Sequence, residues 1–176
     1  LNQALHNYKT AFSKNPECFE TLFNIGNIYD KKGLYPYAIN SFKKVLVLNP
    51  THAPTYIQLG MTQKKMGEIT AAEDTFRKAC SLDDDFAKSP AKANLGYSLC
   101  DRGHFDEGIN KILTAIDLDK EYLKIHHNLL FNLNYSPDLS AEEIYTYYKN
   151  FDNLYSKNTS PKWHLVQPSN KKRKLK

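Results

Sequence analysis

The sequence has only three cysteines, and it lacks any apolar segment approaching the roughly 18–20 residues that a membrane-spanning helix requires. Cys18, Cys80 and Cys100 cannot all form disulfides, and none lies in a C-x-x-C arrangement typical of zinc or redox sites. We therefore expect free, mostly buried thiols, no metal site and no membrane partner. The first residues, LNQALHNYK, lack the basic and apolar layout of a secretion signal, which predicts a cytoplasmic protein.

Most of the chain also has no excess of positive or negative charge. The formal net charge of the 176 residues is +5. Five of the 24 basic residues lie in Lys171–Lys176, which leaves 19 basic residues against 19 acidic ones elsewhere. A neutral body with one short basic cluster argues against a nucleic-acid-binding surface, so we expect no nucleic-acid partner.

Glycine is scarce, but six of the seven glycines follow a fixed spacing. Gly26, Gly60 and Gly96 each follow an aliphatic residue, and each is followed seven residues later by a second glycine. A small residue and two further apolar residues then recur at fixed offsets. The period is 34 residues and then 36, and this pattern resembles the tetratricopeptide repeat.

Each repeat has the residue spacing of two amphipathic helices. In the first repeat the apolar positions are Leu22, Ile25, Gly26 and Tyr29, followed by Ala38, Phe42 and Val45. Gly26 is expected where the paired helices approach most closely, and Gly33 where the chain turns. Pro54 and Pro90 are expected near helix starts, where a missing N–H does no harm. The resemblance predicts an all-α fold, a tetratricopeptide-repeat right-handed superhelix with extra C-terminal helices.

The repeat frame divides the chain into six segments. They are the second helix of a truncated repeat at 1–18, a repeat at 19–52, a repeat with a short insertion at 53–88, a repeat at 89–122, junction helices that cap the array at 123–157, and a flexible basic linker at 158–176.

A row of carboxamides is predicted to face the concave groove of the array. The sixth position of each first helix holds one of them, and we call these four residues the amide row: Asn24, Gln58, Asn94 and Asn128. A carboxamide offers a donor and an acceptor, so it can pair with the backbone of an extended peptide whatever its sequence. The alternative is that these amides only bond to their local backbone.

A cationic clamp for a terminal carboxylate is not evident in the sequence. Such a clamp needs Lys or Arg beside Asn near the start of successive first helices. Lys64 and Lys65 are expected too late in their helix to serve.

The run HHNLLFNLNYSPDLSAEEI at 126–144 resembles the junction between the repeats and the catalytic region in SPINDLY-like members of glycosyltransferase family 41, the bacterial homologues of protein O-GlcNAc transferase. The resemblance implies that His126 projects into the active-site cleft, and that a UDP-sugar donor binds in a region absent from this chain. On its own the segment is expected to hold no cofactor and to catalyse nothing. The other reading of His126 is a buried packing residue. Within the run, Ser140 and Glu143 form the pattern of a helix capping box.

Two functions from different classes remain open at this stage. The first is the peptide-binding module of a protein O-glycosyltransferase, which presents extended Ser/Thr peptides to a catalytic region. The second is a non-catalytic scaffold that assembles protein partners. The truncated first repeat would also expose Leu5, Tyr8 and Phe12, an apolar face suited to a homo-oligomer.

Overall fold

The computed structural model describes residues 2–15, 18–121 and 123–155, and these ranges contain helices and no strands. The predicted linker at 158–176, with its basic cluster, lies outside the described residues. In chain order the helices of these ranges are α1 (Asn2–Lys14), α2 (Phe19–Lys31), α3 (Tyr35–Leu48), α4 (Ala53–Lys65), α5 (Ile69–Cys80), α6 (Asp85–Asp101), α7 (Phe105–Leu118), α8 (Leu123–Leu133) and α9 (Ala141–Tyr155). Each of them is too short or too polar to cross a bilayer.

The helices up to α8 pack as successive pairs. Helix α2 packs on α3, α4 on α5 and α6 on α7, while α3–α4 and α5–α6 contacts join one pair to the next. The first helices also meet, since α6 contacts both α4 and α8. Contacts divide the chain into two units, Leu1–Leu139 and Ser140–Lys176. The first unit therefore contains the whole stack of helix pairs.

The residue types that recur at the repeat spacing form the core of each pair. One large side chain in each second helix is fully buried: Phe42, Phe76 and Ile112. A Cβ atom on Gly26 would lie 2.6 Å from Cε1 of Phe42, so the close approach of the paired helices is confirmed. The turns between paired helices are formed by the second glycines, whose φ angles of 73°, 82° and 84° favour glycine.

The prediction that Pro90 lies near a helix start is wrong. Helix α6 begins at Asp85, so Pro90 lies inside it. The helix begins earlier because Asp84 caps it, with its carboxylate accepting a hydrogen bond from the backbone N–H of Ala87 at 3.1 Å. The two extra residues, which the repeat frame placed at the end of the repeat at 53–88, therefore lengthen α6 and not the loop before it.

The second unit is described through α9, which begins with the predicted capping box. The Ser140 N–H donates to Oε2 of Glu143 at 2.8 Å, and the Glu143 N–H donates to Oγ of Ser140 at 3.3 Å. The Ser140 hydroxyl also donates to Oε2 of Glu143 at 2.7 Å, and this bond, together with the one from the Ser140 N–H, lowers the pKa of the Glu143 carboxyl. The capping box is confirmed.

Candidate functional site

Three successive first helices, α4, α6 and α8, surround a cavity of about 650 Å³. Its lining combines apolar side chains, amides and lysines: Ile57, Gln58, Met61, Lys64, Lys65, Pro90, Ala93, Asn94, Tyr97, Lys124, Ile125 and Asn128. No acidic residue is among them. The cavity is thus an apolar floor with polar and cationic groups around it, which is the usual composition of a ligand site.

The cavity brings together three of the four members of the amide row. Gln58, Asn94 and Asn128 all line it and are half-buried, so each retains access to a ligand. Asn24 is also half-buried on α2 but does not line this cavity. The structure therefore places a contiguous set of amides on α4, α6 and α8.

The amides differ in what they bond to inside the protein. Asn94 donates from Nδ2 to the backbone carbonyl of Pro90 at 2.8 Å, so at this position the local backbone bond exists. Its Oδ1 is left as an acceptor for a ligand N–H. Within the described ranges, the side-chain amides of Gln58 and Asn128 make no hydrogen bond, so both can offer a donor and an acceptor.

Lys64 and Lys65, in the last turn of α4, both line the cavity. The absence of a clamp for a terminal carboxylate stays a prediction. Each already has a carboxylate partner: Nζ of Lys64 lies 2.6 Å from Oδ2 of Asp101, and Nζ of Lys65 lies 2.5 Å from Oδ2 of Asp30. These ion pairs join α4 to its neighbouring first helices.

A smaller apolar cavity of about 240 Å³ lies at the N-terminal ends of α4 and α6. It shares Ile57, Gln58 and Pro90 with the larger cavity, so the two form one continuous groove. Asp84 also lines this end, where its carboxylate accepts the capping bond from the Ala87 N–H. Phe86 lines this end with its side chain 97% exposed. A ring so exposed beside a cavity offers a contact for an apolar side chain of a ligand.

His126 lies in α8 and is buried, with 8% exposure, and its neighbour His127 is exposed. Nε2 of His126 lies 3.2 Å from the backbone oxygen of Lys120. The residue before it, Ile125, lines the cavity, whereas His126 itself does not. In this chain His126 thus has a packing environment, and its role near a sugar donor stays a prediction.

The cysteines provide no reactive thiol at this site. All three are free, as expected from the sequence, but only Cys100 is buried, and Cys18 and Cys80 are half-buried. Burial, with a smaller contribution from the nearby Asp101 carboxylate, raises the pKa of the Cys100 thiol to about 11. Burial raises the pKa of Cys80 as well. Both thiols are therefore protonated and poor nucleophiles at neutral pH.

The sequence analysis missed Phe86, Asp84 and Lys124. Asp84 followed by a helical stretch is a helix-start signal that could have been read. Lys124 is the second residue of α8 and lies four residues before Asn128. This spacing places two residues on the same face of a helix, so the sequence contained a signal for Lys124 as well. The sequence contains no signal for the exposure of the Phe86 side chain, because that exposure depends on where α6 begins.

Comparison with known proteins identifies the repeats. Family models described as "Tetratricopeptide repeat" match residues 19–52 and 53–86. The all-α fold built from tetratricopeptide repeats is therefore confirmed.

A relative in barley, Hordeum vulgare, is described as a probable UDP-N-acetylglucosamine–peptide N-acetylglucosaminyltransferase SPINDLY. It is 27% identical over 131 residues, which cover 72% of this chain and 14% of that protein. The chain thus spans about a seventh of the length of this relative.

Two solved structures share the fold. MamA from Desulfovibrio magneticus RS-1 superimposes with a TM-score of 0.77 and 23% identity, covering 90% of this chain and 88% of that one. A mutant O-GlcNAc transferase from Thermobaculum terrenum gives a TM-score of 0.70 and 21% identity, covering 78% of this chain and 26% of that one. At these identities the likeness concerns the fold alone.

Proposed function

We propose that this chain is the protein-binding tetratricopeptide module of a protein O-glycosyltransferase, and that it presents extended Ser/Thr peptides to a catalytic region outside the chain. The observation that carries the proposal is the convergence of Gln58, Asn94 and Asn128 on one open cavity. Such amides recognise the peptide backbone, which every acceptor has, and leave the side chains largely unread.

The glycosyltransferase part of the proposal has separate support. It rests on the SPINDLY relative and on the run at 126–144 that resembles the junction before the catalytic region. Because the match covers 14% of that relative, the residues that would hold a UDP-sugar donor belong to another part of the protein. Activity, donor and acceptor are therefore properties we propose for the longer protein.

The amide row is tested by replacing Asn94 and Asn128 together with alanine. We expect weaker binding of a fluorescein-labelled Ser/Thr-rich peptide, measured by anisotropy, because two backbone partners are removed while the fold stays intact. The matched control replaces Asn40 and Asn110, two exposed amides on the second helices α3 and α7. Equal affinity of the Asn94/Asn128 variant and the control would remove the amide row from the proposal.

His126 is tested in the longer protein with a UDP-sugar and a peptide acceptor. His126→Gln keeps a hydrogen-bond donor near the Lys120 carbonyl and removes the titratable imidazole. If the ring assists the transfer, turnover falls while the melting temperature changes little. A large loss of melting temperature with turnover retained would assign His126 to packing.

The alternative function, a non-catalytic scaffold, is favoured by one observation. The chain and MamA match over nearly the full length of both, so this arrangement also occurs in a chain without several hundred further residues. The gene sequence after Lys176 separates the two functions. Alternating strand and helix patterns over several hundred residues support the transferase. A stop codon or further repeats would refute it.

A further inference from the structure

We propose that the cavity between α4, α6 and α8 recognises an acidic side chain, Asp or Glu, of the extended peptide that crosses it. The inference depends on the proposed peptide-binding function, to which it adds a preference for acidic ligands. Three lysines and no acids line the cavity. A lining of this charge attracts carboxylates and repels cations.

Lys124 carries the proposal, because the other two lysines already have partners. Lys64 pairs with Asp101 and Lys65 with Asp30, as described above. Lys124 forms no ion pair with any residue of the described ranges, including Glu121, which precedes its helix. The cavity therefore keeps one lysine whose charge is available to a ligand.

The position of Lys124 in α8 adds to its attraction for an anion. It is the second residue of the helix, and the first turn contains no acidic residue. The N-terminal end of a helix carries a partial positive charge, so a carboxylate at Lys124 is stabilised by the ammonium and by the helix dipole. No acid of α8 competes for that position.

The geometry of α8 joins this charge to the amide row. Lys124 and Asn128 are four residues apart, which places them on one face of the helix, and both line the cavity. A peptide that contacts Gln58 on α4 and Asn128 on α8 has to cross the cavity between them. Such a peptide continues beyond Lys124 and therefore contacts it with a side chain, not with its C-terminal carboxylate. The proposed ligand group is thus an internal Asp or Glu of the peptide.

The experiment measures the binding of three labelled peptides by anisotropy at low and high salt. They share a Ser/Thr/Gly sequence with acetylated and amidated ends, and differ at one central residue, which is Glu, Gln or Lys. The chain should bind the Glu peptide about fivefold more tightly than the Gln peptide. High salt should reduce that difference, because it screens the ion pair.

Variants assign the preference to Lys124. Lys124→Met should abolish it, and Lys124→Glu should make the Lys peptide the tightest ligand. Lys43→Met, at an exposed lysine on α3, is the matched control and should keep it. Asp101→Asn frees Lys64 from its partner, gives the cavity a second available ammonium, and should increase the Glu preference.

The outcomes separate this inference from the proposed function. Equal binding of all three peptides overturns the acidic preference and leaves the peptide groove in place. Failure of all three to bind overturns the groove itself. If only a peptide with a free C-terminus binds, Lys124 recognises a terminal carboxylate and the side-chain proposal is wrong.

Discussion

Replacing Gly96 with alanine perturbs a close contact between α6 and the backbone of α7. A Cβ atom at Gly96 would lie 2.6 Å from the carbonyl oxygen of Gly108 and 2.6 Å from Cγ1 of Ile112. The oxygen belongs to the backbone of α7 and Ile112 is fully buried, so neither atom can move alone. The substitution therefore has to push α6 and α7 apart.

Two opposing effects set the size of the change. Alanine improves helix propensity over glycine by about 1 kcal/mol. Overpacking against a fixed neighbour costs up to about 3 kcal/mol. The expected net loss for Gly96→Ala is therefore up to about 2 kcal/mol, which for a chain of this size lowers the melting temperature by up to roughly 4–8 °C. Because α6 also carries Asn94, we expect peptide affinity to fall as well.

The assay is thermal unfolding followed by circular dichroism at 222 nm. Gly60→Ala is the matched comparison, because the three atoms nearest to its Cβ would all belong to the side-chain ring of Phe76, with Cε1 at 2.6 Å. Phe76→Leu should partly restore Gly60→Ala by removing that ring. Ile112→Ala, which removes Cγ1, should not relieve the destabilisation by Gly96→Ala, because the Gly108 oxygen remains. An increase in melting temperature for Gly96→Ala would refute the close contact.

Two further predictions concern charge. Burial, only partly offset by Asp84 and Glu20, lowers the pKa of His52 below 6.5, so stability should fall as pH drops below about 6.5. His52→Asn should flatten the dependence of melting temperature on pH between 7.5 and 5.5, and an unchanged slope would contradict this. Burial would raise the pKa of Glu73, but hydrogen bonds from Arg102 and Arg77 outweigh burial and lower it. Glu73→Gln should lower the free energy of unfolding, measured by urea denaturation at pH 7, by about 2 kcal/mol. A change near zero would contradict a stabilising role for the bonds from Arg102 and Arg77 to Glu73.

The sequence predicted the repeated helix pairs because their signals are local. A glycine with positive φ ends each first helix, and a large apolar residue such as Phe42 or Phe76 fills each core. These features depend on spacing within one repeat. The same local patterns identified the capping box at Ser140.

What the sequence did not predict depends on competing signals at a helix start, on side-chain conformation and on contacts between repeats. The start of α6 is five residues before Pro90, because the carboxylate of Asp84 caps the helix there. The ion pairs of Lys64 with Asp101 and of Lys65 with Asp30 have no signal within one repeat, because each partner lies in a different repeat. The bond of Asn94 to its own helix was one of two open alternatives, and only the coordinates distinguish them.

The most direct test of the peptide groove is a two-dimensional ¹H–¹⁵N spectrum of the side-chain amides during titration with the Glu peptide, the Ser/Thr/Gly peptide that has a central Glu. We predict that the signals of Gln58, Asn94 and Asn128 shift together and saturate at one affinity, while those of Asn40 and Asn110 on the second helices stay fixed. Shifts confined to Asn40 and Asn110, or no shift of the three groove amides at saturating peptide, would contradict the account.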